Sequence, residues 1–199
     1  MKERPVVPAG EARAELREQG SRFFAFVVPA ADRSAAEAGL DRLRAAHPDA
    51  THHCYAWRIG WPPVERAADD GEPAGTAGQP ILRALQGAGL TDVLAVVVRW
   101  FGGTKLGKGG LARAYAGATL AALADLPTRV ERVTRELSID LPHERLGAVK
   151  RLLRPPEVTL LEERYAERAA LRLRVDEEAW SRLLEQLAAI GVVPRAADD

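Results

Sequence analysis

Two short stretches concentrate the residue types that can do chemistry. In DDGEP, Asp69, Asp70 and Glu72 place three carboxylates within four positions. In RWFGGTKLGKGGLAR, Arg99, Lys105, Lys108 and Arg113 are interleaved with Gly102, Gly103, Gly107, Gly109 and Gly110, and no acidic residue intervenes. Glycines let a backbone approach its partner closely, and N–H groups at the start of a helix, with lysines beside them, bind oxyanions. The same glycines serve a tight turn and helix packing equally well, and both readings stay open. Three clustered carboxylates suit a hard cation such as magnesium only if the fold converges them. They also suit a basic residue of the same chain; a solvated turn is the expectation from sequence, because charge clusters in glycine loops commonly face water.

Two familiar phosphate motifs are approached and missed. Gly102, Gly107 and Lys108 keep P-loop spacing, but Gly109 stands where a hydroxyl would hold magnesium, and no convincing Walker B aspartate follows an apolar strand later in the chain. Gly107, Gly109 and Ala112 fit a relaxed dinucleotide fingerprint, yet the turn does not follow its strand directly. His52 and Cys54 fall on one face of a strand without the further ligands of a structural zinc set, so a packed or hydrogen-bonded histidine pair is expected instead. Trp100 and Phe101 point to opposite faces if their strand persists. An ordinary core aromatic is the plainer reading for each, and one of them is placed to stack on a base beside Arg99. No serine or cysteine carries a nucleophile signature. No catalytic residue, resident metal or cofactor is therefore expected.

The elements that hold these stretches follow from periodicity. The apolar run from Val93 reads as a buried strand, the glycines as a loop, and Gly110 to Ala124 as a helix with Leu111, Tyr115, Ala118 and Ala122 on one face. Before it come a charged, helix-like segment ending at Gly20, a strand over 21–28, a helix over 33–46 and a strand over 52–59, with His52, Cys54, Ala56 and Arg58 on one face. Residues 61–80 read as a proline- and glycine-rich loop, and Gln79 to Ala88 as a short helix. After Thr134 the pattern is strand, helix, strand, strand, helix, strand, the last strand falling over Ile190 to Pro194. That order is ferredoxin-like. The chain is expected to be α+β with two domains, 1–134 and 135–199.

Composition narrows the partners. Acidic and basic residues number 28 each; up to Thr134 there are 17 basic against 15 acidic residues, and beyond it 11 against 13. Any nucleic-acid contact must therefore rest on a local patch rather than on overall charge. Only four residues are lysine, and two of them, Lys105 and Lys108, lie in the glycine-rich stretch. Cys54 is the single cysteine, so no intrachain disulfide forms. With no signal-peptide core and no apolar run long enough to span a bilayer, a soluble cytoplasmic protein is expected.

DDGEPAGTAGQP at 69–80, VVVRWFGGTKLGKGGLARAY at 96–115 and HPDATHHCYAW at 47–57 together resemble the IMPACT family, in its bacterial YigZ branch. The resemblance implies an N-terminal domain similar to the second domain of ribosomal protein S5, and a C-terminal ferredoxin-like domain resembling an elongation-factor module. Eukaryotic relatives regulate translation by competing for an activator of an amino-acid-starvation kinase, and they carry a different, N-terminal interaction domain that this chain lacks. The expectation is a non-enzymatic protein that binds RNA or a ribosome-associated surface, with a protein partner in translation control as a further option. Arg99, Gly102, Gly103, Lys105, Lys108, Gly109, Gly110 and Arg113 would face the ligand, with Asp69, Asp70 and Glu72 near the loop. The competing class is a phosphate- or nucleotide-binding enzyme using the acidic turn with magnesium. In a third arrangement, the acidic turn folds back onto Arg99 or Lys105 as a structural lock.

Overall fold

The computed structural model describes residues 5–196. The chain divides into two compact units between Glu131 and Arg132, where the sequence pattern places the division at Thr134. In the first unit the elements are β1 (Val6–Pro8), β2 (Ala12–Glu18), β3 (Ser21–Pro29), α1 (Arg33–Ala46), β4 (His52–Ile59), β5 (Val64–Ala68), α2 (Gly78–Gly87), β6 (Val93–Trp100), α3 (Gly107–Ala124) and β7 (Thr128–Val130). Five strands form one antiparallel sheet in the order β2-β3-β6-β4-β5, and β1 pairs with β7 in a separate ribbon.

β6 lies at the centre of that sheet and is covered on both faces, which is why its sequence is a continuous apolar run rather than an alternating one. Val93, Ala95 and Val97 pack with Phe23, Cys54, Ala56 and the buried faces of α2 and α3. Leu94, Val96 and Val98 point the other way and pack with Trp57 and with Leu40 and Leu43 of α1.

The charged segment before Gly20 is strand β2, not the expected helix. Ala12, Ala14 and Leu16 pack against the α2–α3 core, while Arg13, Glu15 and Arg17 are exposed. Its period is therefore two. Gln19 (φ 45°) and Gly20 (φ 82°) close the hairpin to β3, the left-handed pair that suits a two-residue β-turn. β5 was also unforeseen within the loop over 61–80; it is an edge strand with only Val64 and three alanine or arginine positions to signal it.

The second unit contains β8 (Thr134–Leu141), α4 (His143–Lys150), β9 (Val158–Tyr165), β10 (Ala169–Asp176), α5 (Glu177–Ala189) and β11 (Arg195–Ala196). Its sheet is antiparallel in the order β11-β8-β10-β9. Leu137, Ile139, Leu141, Leu171, Leu173 and Val175 alternate into a core closed by Leu183 and Leu187 of α5. The last strand begins after the expected 190–194 because residues 190–192 terminate α5. Gly191 adopts φ 68°, its N–H reaches the Ala188 carbonyl, and the Val192 N–H reaches that of Leu187, a glycine-dependent helix stop. Both units mix helix and sheet, so the chain is α+β. No helix among the described residues is long and apolar enough to cross a membrane.

Candidate functional site

In the DDGEP turn Asp70, Gly71 and Pro73 are exposed and Glu72 is buried, yet each of its carboxylates is held by the protein. Asp69 accepts hydrogen bonds from the backbone N–H groups of Gly75 (2.8 Å), Ala77 (2.9 Å) and Gly78 (2.8 Å). It thus caps the start of α2 from outside the helix. Burial opposes ionisation of Asp69, but the three amides outweigh it and hold the carboxyl below its usual range. Gly78 is required at that helix start, since a Cβ there would lie 2.6 Å from the Ala68 nitrogen. Asp70, at φ 44°, accepts from the His53 backbone N–H (2.7 Å) and from Arg44 (3.2 Å).

Glu72 is turned fully inward. Its side chain is 4% exposed and pairs with Arg99, itself 5% exposed. The same carboxylate oxygen accepts from the Tyr115 hydroxyl at 2.8 Å, and His52 Nε2 lies 3.8 Å away. His52 Nδ1 donates to the Asp70 carbonyl at 2.8 Å, which fixes the ring's orientation. Cys54 Sγ donates to the Asp69 carbonyl at 2.9 Å and lies 3.3 Å from the Tyr115 hydroxyl. Burial, reinforced by the neighbouring carboxylates, pushes the Cys54 thiol up to about 12, so it is an inert core thiol. Burial also raises Tyr115, with Cys54 and Glu72 beside it. Cys54 is thus a hydrogen-bonded core group, and His52 a partly buried, hydrogen-bonded one. Neither they nor the three carboxylates converge on a cation position, and no metal-holding group of three such side chains occurs among the described residues.

Arg99 therefore belongs to this lock rather than to the surface. Besides Glu72 it donates to Ser21 Oγ at 3.2 Å. Its guanidinium lies between two rings, 5.2 Å from the centre of Phe23 and 5.6 Å from that of Phe101. Phe23 in turn meets Tyr115 edge-on at 5.1 Å. Strand parity carries the signal for this placement: Arg99 shares its face with Ala95 and Val97, so a buried counterion was required. Tyr115 and Ser21, read from sequence as core and strand positions, complete its polar surroundings.

Gly102 is a packing glycine. A Cβ there would fall 1.9 Å from the Gly20 carbonyl carbon, so the β2–β3 turn rests directly on the backbone after Phe101. Gly103 (φ 87°) and Gly107 (φ 69°) supply left-handed turns. α3 starts at Gly107 rather than Gly110, which puts Lys108, Gly109 and Gly110 in its first turn. That turn has no side-chain cap and no acidic residue. Lys105, Lys108 and Arg113 are exposed, and none has a carboxylate partner among the described residues. The acidic turn and the basic loop thus meet through Glu72 and Arg99, while the two lysines stay outside the contact.

Residues 19–123 match the family description Impact N-terminal domain, which takes in the acidic turn, β6 and all of α3 but its last residue, Ala124. The chain belongs to the IMPACT family. Residues 139–191 match a second description, a domain of unknown function, DUF1949. IMPACT family member YigZ of Escherichia coli (strain K12) is 39% identical over 151 residues, 74% of each chain. A crystal structure of a protein described as hypothetical superposes with a TM-score of 0.74 at 32% identity, covering all of both chains. The two-domain translational regulator Yih1 aligns over 59% of this chain and 48% of its own, with 27% identity and a TM-score of 0.42.

Proposed function

We propose that this IMPACT protein is a non-enzymatic cytoplasmic factor that binds RNA or a ribosome-associated surface in translation control. Phosphates are contacted by Lys105, Lys108 and Arg113 and by the N–H groups at the start of α3. The observation that carries this reading is the uncapped first turn of α3 with exposed, unpaired lysines around it. Cations at that end oppose the helix dipole, so Lys108 costs the helix stability unless an anion is the intended neighbour. The translation setting rests on the family, whose eukaryotic members, by the resemblance, regulate translation. We also read the second unit as ferredoxin-like, supported by its strand order and antiparallel pairing, and the first as similar to the second domain of ribosomal protein S5, on the family resemblance alone.

The magnesium-assisted enzyme reading lacks comparable support, because Asp69, Asp70 and Glu72 each face separate protein donors. Titration with ribosomes and with RNA across a salt series tests the proposal. Replacing Lys105 and Lys108 by alanine lowers affinity and flattens the salt slope by about 0.7 to 0.9 per lost phosphate contact. An unchanged slope overturns the assignment.

A further inference from the structure

The rings around Arg99 form a column that runs from the core to the surface. Tyr115, Phe23, the Arg99 guanidinium and Phe101 succeed one another at 5.1, 5.2 and 5.6 Å. Phe101 ends the column and is 48% exposed. Its backbone is fixed, since its N–H donates to Thr51 Oγ1 at 3.1 Å and the following N–H, of Gly102, donates to Ser21 Oγ at 3.2 Å. An exposed phenylalanine on a rigid strand end, backed by a cation, has the build of a stacking surface rather than of a core residue. Phe101 opens the loop that carries Lys105 and leads into Lys108 in the first turn of α3, so an aromatic face and cations without a carboxylate partner among the described residues lie within one short segment. Flat apolar contact combined with positive charge fits an unpaired base and its phosphate, whereas a duplex hides its base faces.

We infer that Phe101 is a base-stacking residue and that the ligand class of this loop is single-stranded nucleic acid. This rests on the phosphate-binding reading above and deepens it. The experiment uses the full chain with a short mixed-sequence RNA, the DNA of the same sequence and the corresponding RNA duplex, each followed by fluorescence anisotropy over a salt series. Phe101→Ala weakens both single strands about tenfold, within the range for loss of one stacked base, leaves the salt slope unchanged and leaves duplex binding unchanged. Phe101→Trp restores single-strand affinity. Phe101→Leu, which keeps apolar bulk without a ring, does not, and serves where the alanine variant folds poorly. The paired lysine replacements instead flatten the slope for strand and duplex alike. If Phe101→Leu binds single strands as tightly as the parent while the lysine variant loses its slope, stacking is wrong and phosphate contact stands. If the parent chain binds no nucleic acid, both fall and a protein partner is indicated; RNA over DNA preference identifies which strand is used.

Discussion

In the DDGEP turn every carboxylate is held by two or three protein donors, whereas Lys105 and Lys108 in the glycine-rich loop meet no carboxylate among the described residues. The two motifs look alike in sequence, each a charge cluster among glycines. They differ in what surrounds the charge. Glu72 and Arg99 sit beneath α3 with side chains about 5% exposed, where an unpaired charge is expensive and geometry is therefore tightly set. The lysines stand in water, where a charge costs little and stays available. Buried charge in this fold positions the loop, and exposed charge is what the loop presents.

The largest test of that contrast is to break the buried pair from one side. Glu72→Ala leaves Arg99 charged and enclosed, and it costs about 3 to 5 kcal/mol in denaturant unfolding. A double variant with apolar side chains at both positions recovers much of that loss, because the uncompensated charge is gone. Cys54 gives a second readout. Its native thiol resists alkylation at mildly alkaline pH, and loosening of the Glu72 cluster exposes it. A Glu72→Ala chain as stable as its parent would show that the lock is no lock.

Gly102→Ala comes next. Its Cβ would overlap the Gly20 carbonyl, so the hairpin turn must shift, at a cost of about 1 to 3 kcal/mol. Here the glycine serves packing and not phosphate. A stable Gly102→Ala chain with weakened nucleic-acid binding would reverse that assignment.

Asp69 tests the acidic side at smaller scale. Asp69→Ala removes the cap on α2 and costs about 1 to 2 kcal/mol. The sign of its pH dependence follows from the lowered carboxyl value, which burial opposes and the amides of Gly75, Gly78 and Ala77 impose. The folded state binds this proton less readily than the unfolded chain does. Its stabilisation is complete above the unfolded value of about 3.9 and is lost as pH falls through the lower folded value. Acid titration of the parent and of Asp69→Asn should therefore converge at low pH; parallel curves would mean that the cap contributes nothing.

Much of this was legible before the structure. α1 and β4 follow the apolar pattern to the residue, and the alternation of Leu137, Ile139 and Leu141 marks the second unit's sheet. The two failures at the sheet margins have one cause. β2 and β5 are edge strands whose inward positions are mostly alanine, so little hydrophobic contrast distinguishes a period of two from a helix in β2 or from a loop in β5. The solvated-turn expectation failed at Glu72 for another reason. Nothing local in Asp69, Asp70 or Glu72 reports that Arg99, far along the chain, is buried. Only the parity of β6, with Arg99 on the face of Ala95 and Val97, carries that information.

The smallest stability effect belongs to the lysines and decides between the two halves of the comparison. Lys105→Ala with Lys108→Ala removes no hydrogen bond or ion pair among the described residues, so unfolding free energy changes by less than about 0.5 kcal/mol. It even rises slightly if relief of the unfavourable charge at the start of α3 is felt, since an alanine there is the better helix former. Binding responds in the opposite direction, with the salt slope on single strands falling by about 1.4 for two lost contacts. Unfolding and binding measured on the same variant thus separate what holds the loop from what the loop holds. A stability loss comparable to that of Asp69→Ala, with the slope intact, would move the lysines into the scaffold and leave Phe101 and Arg113 to account for any ligand.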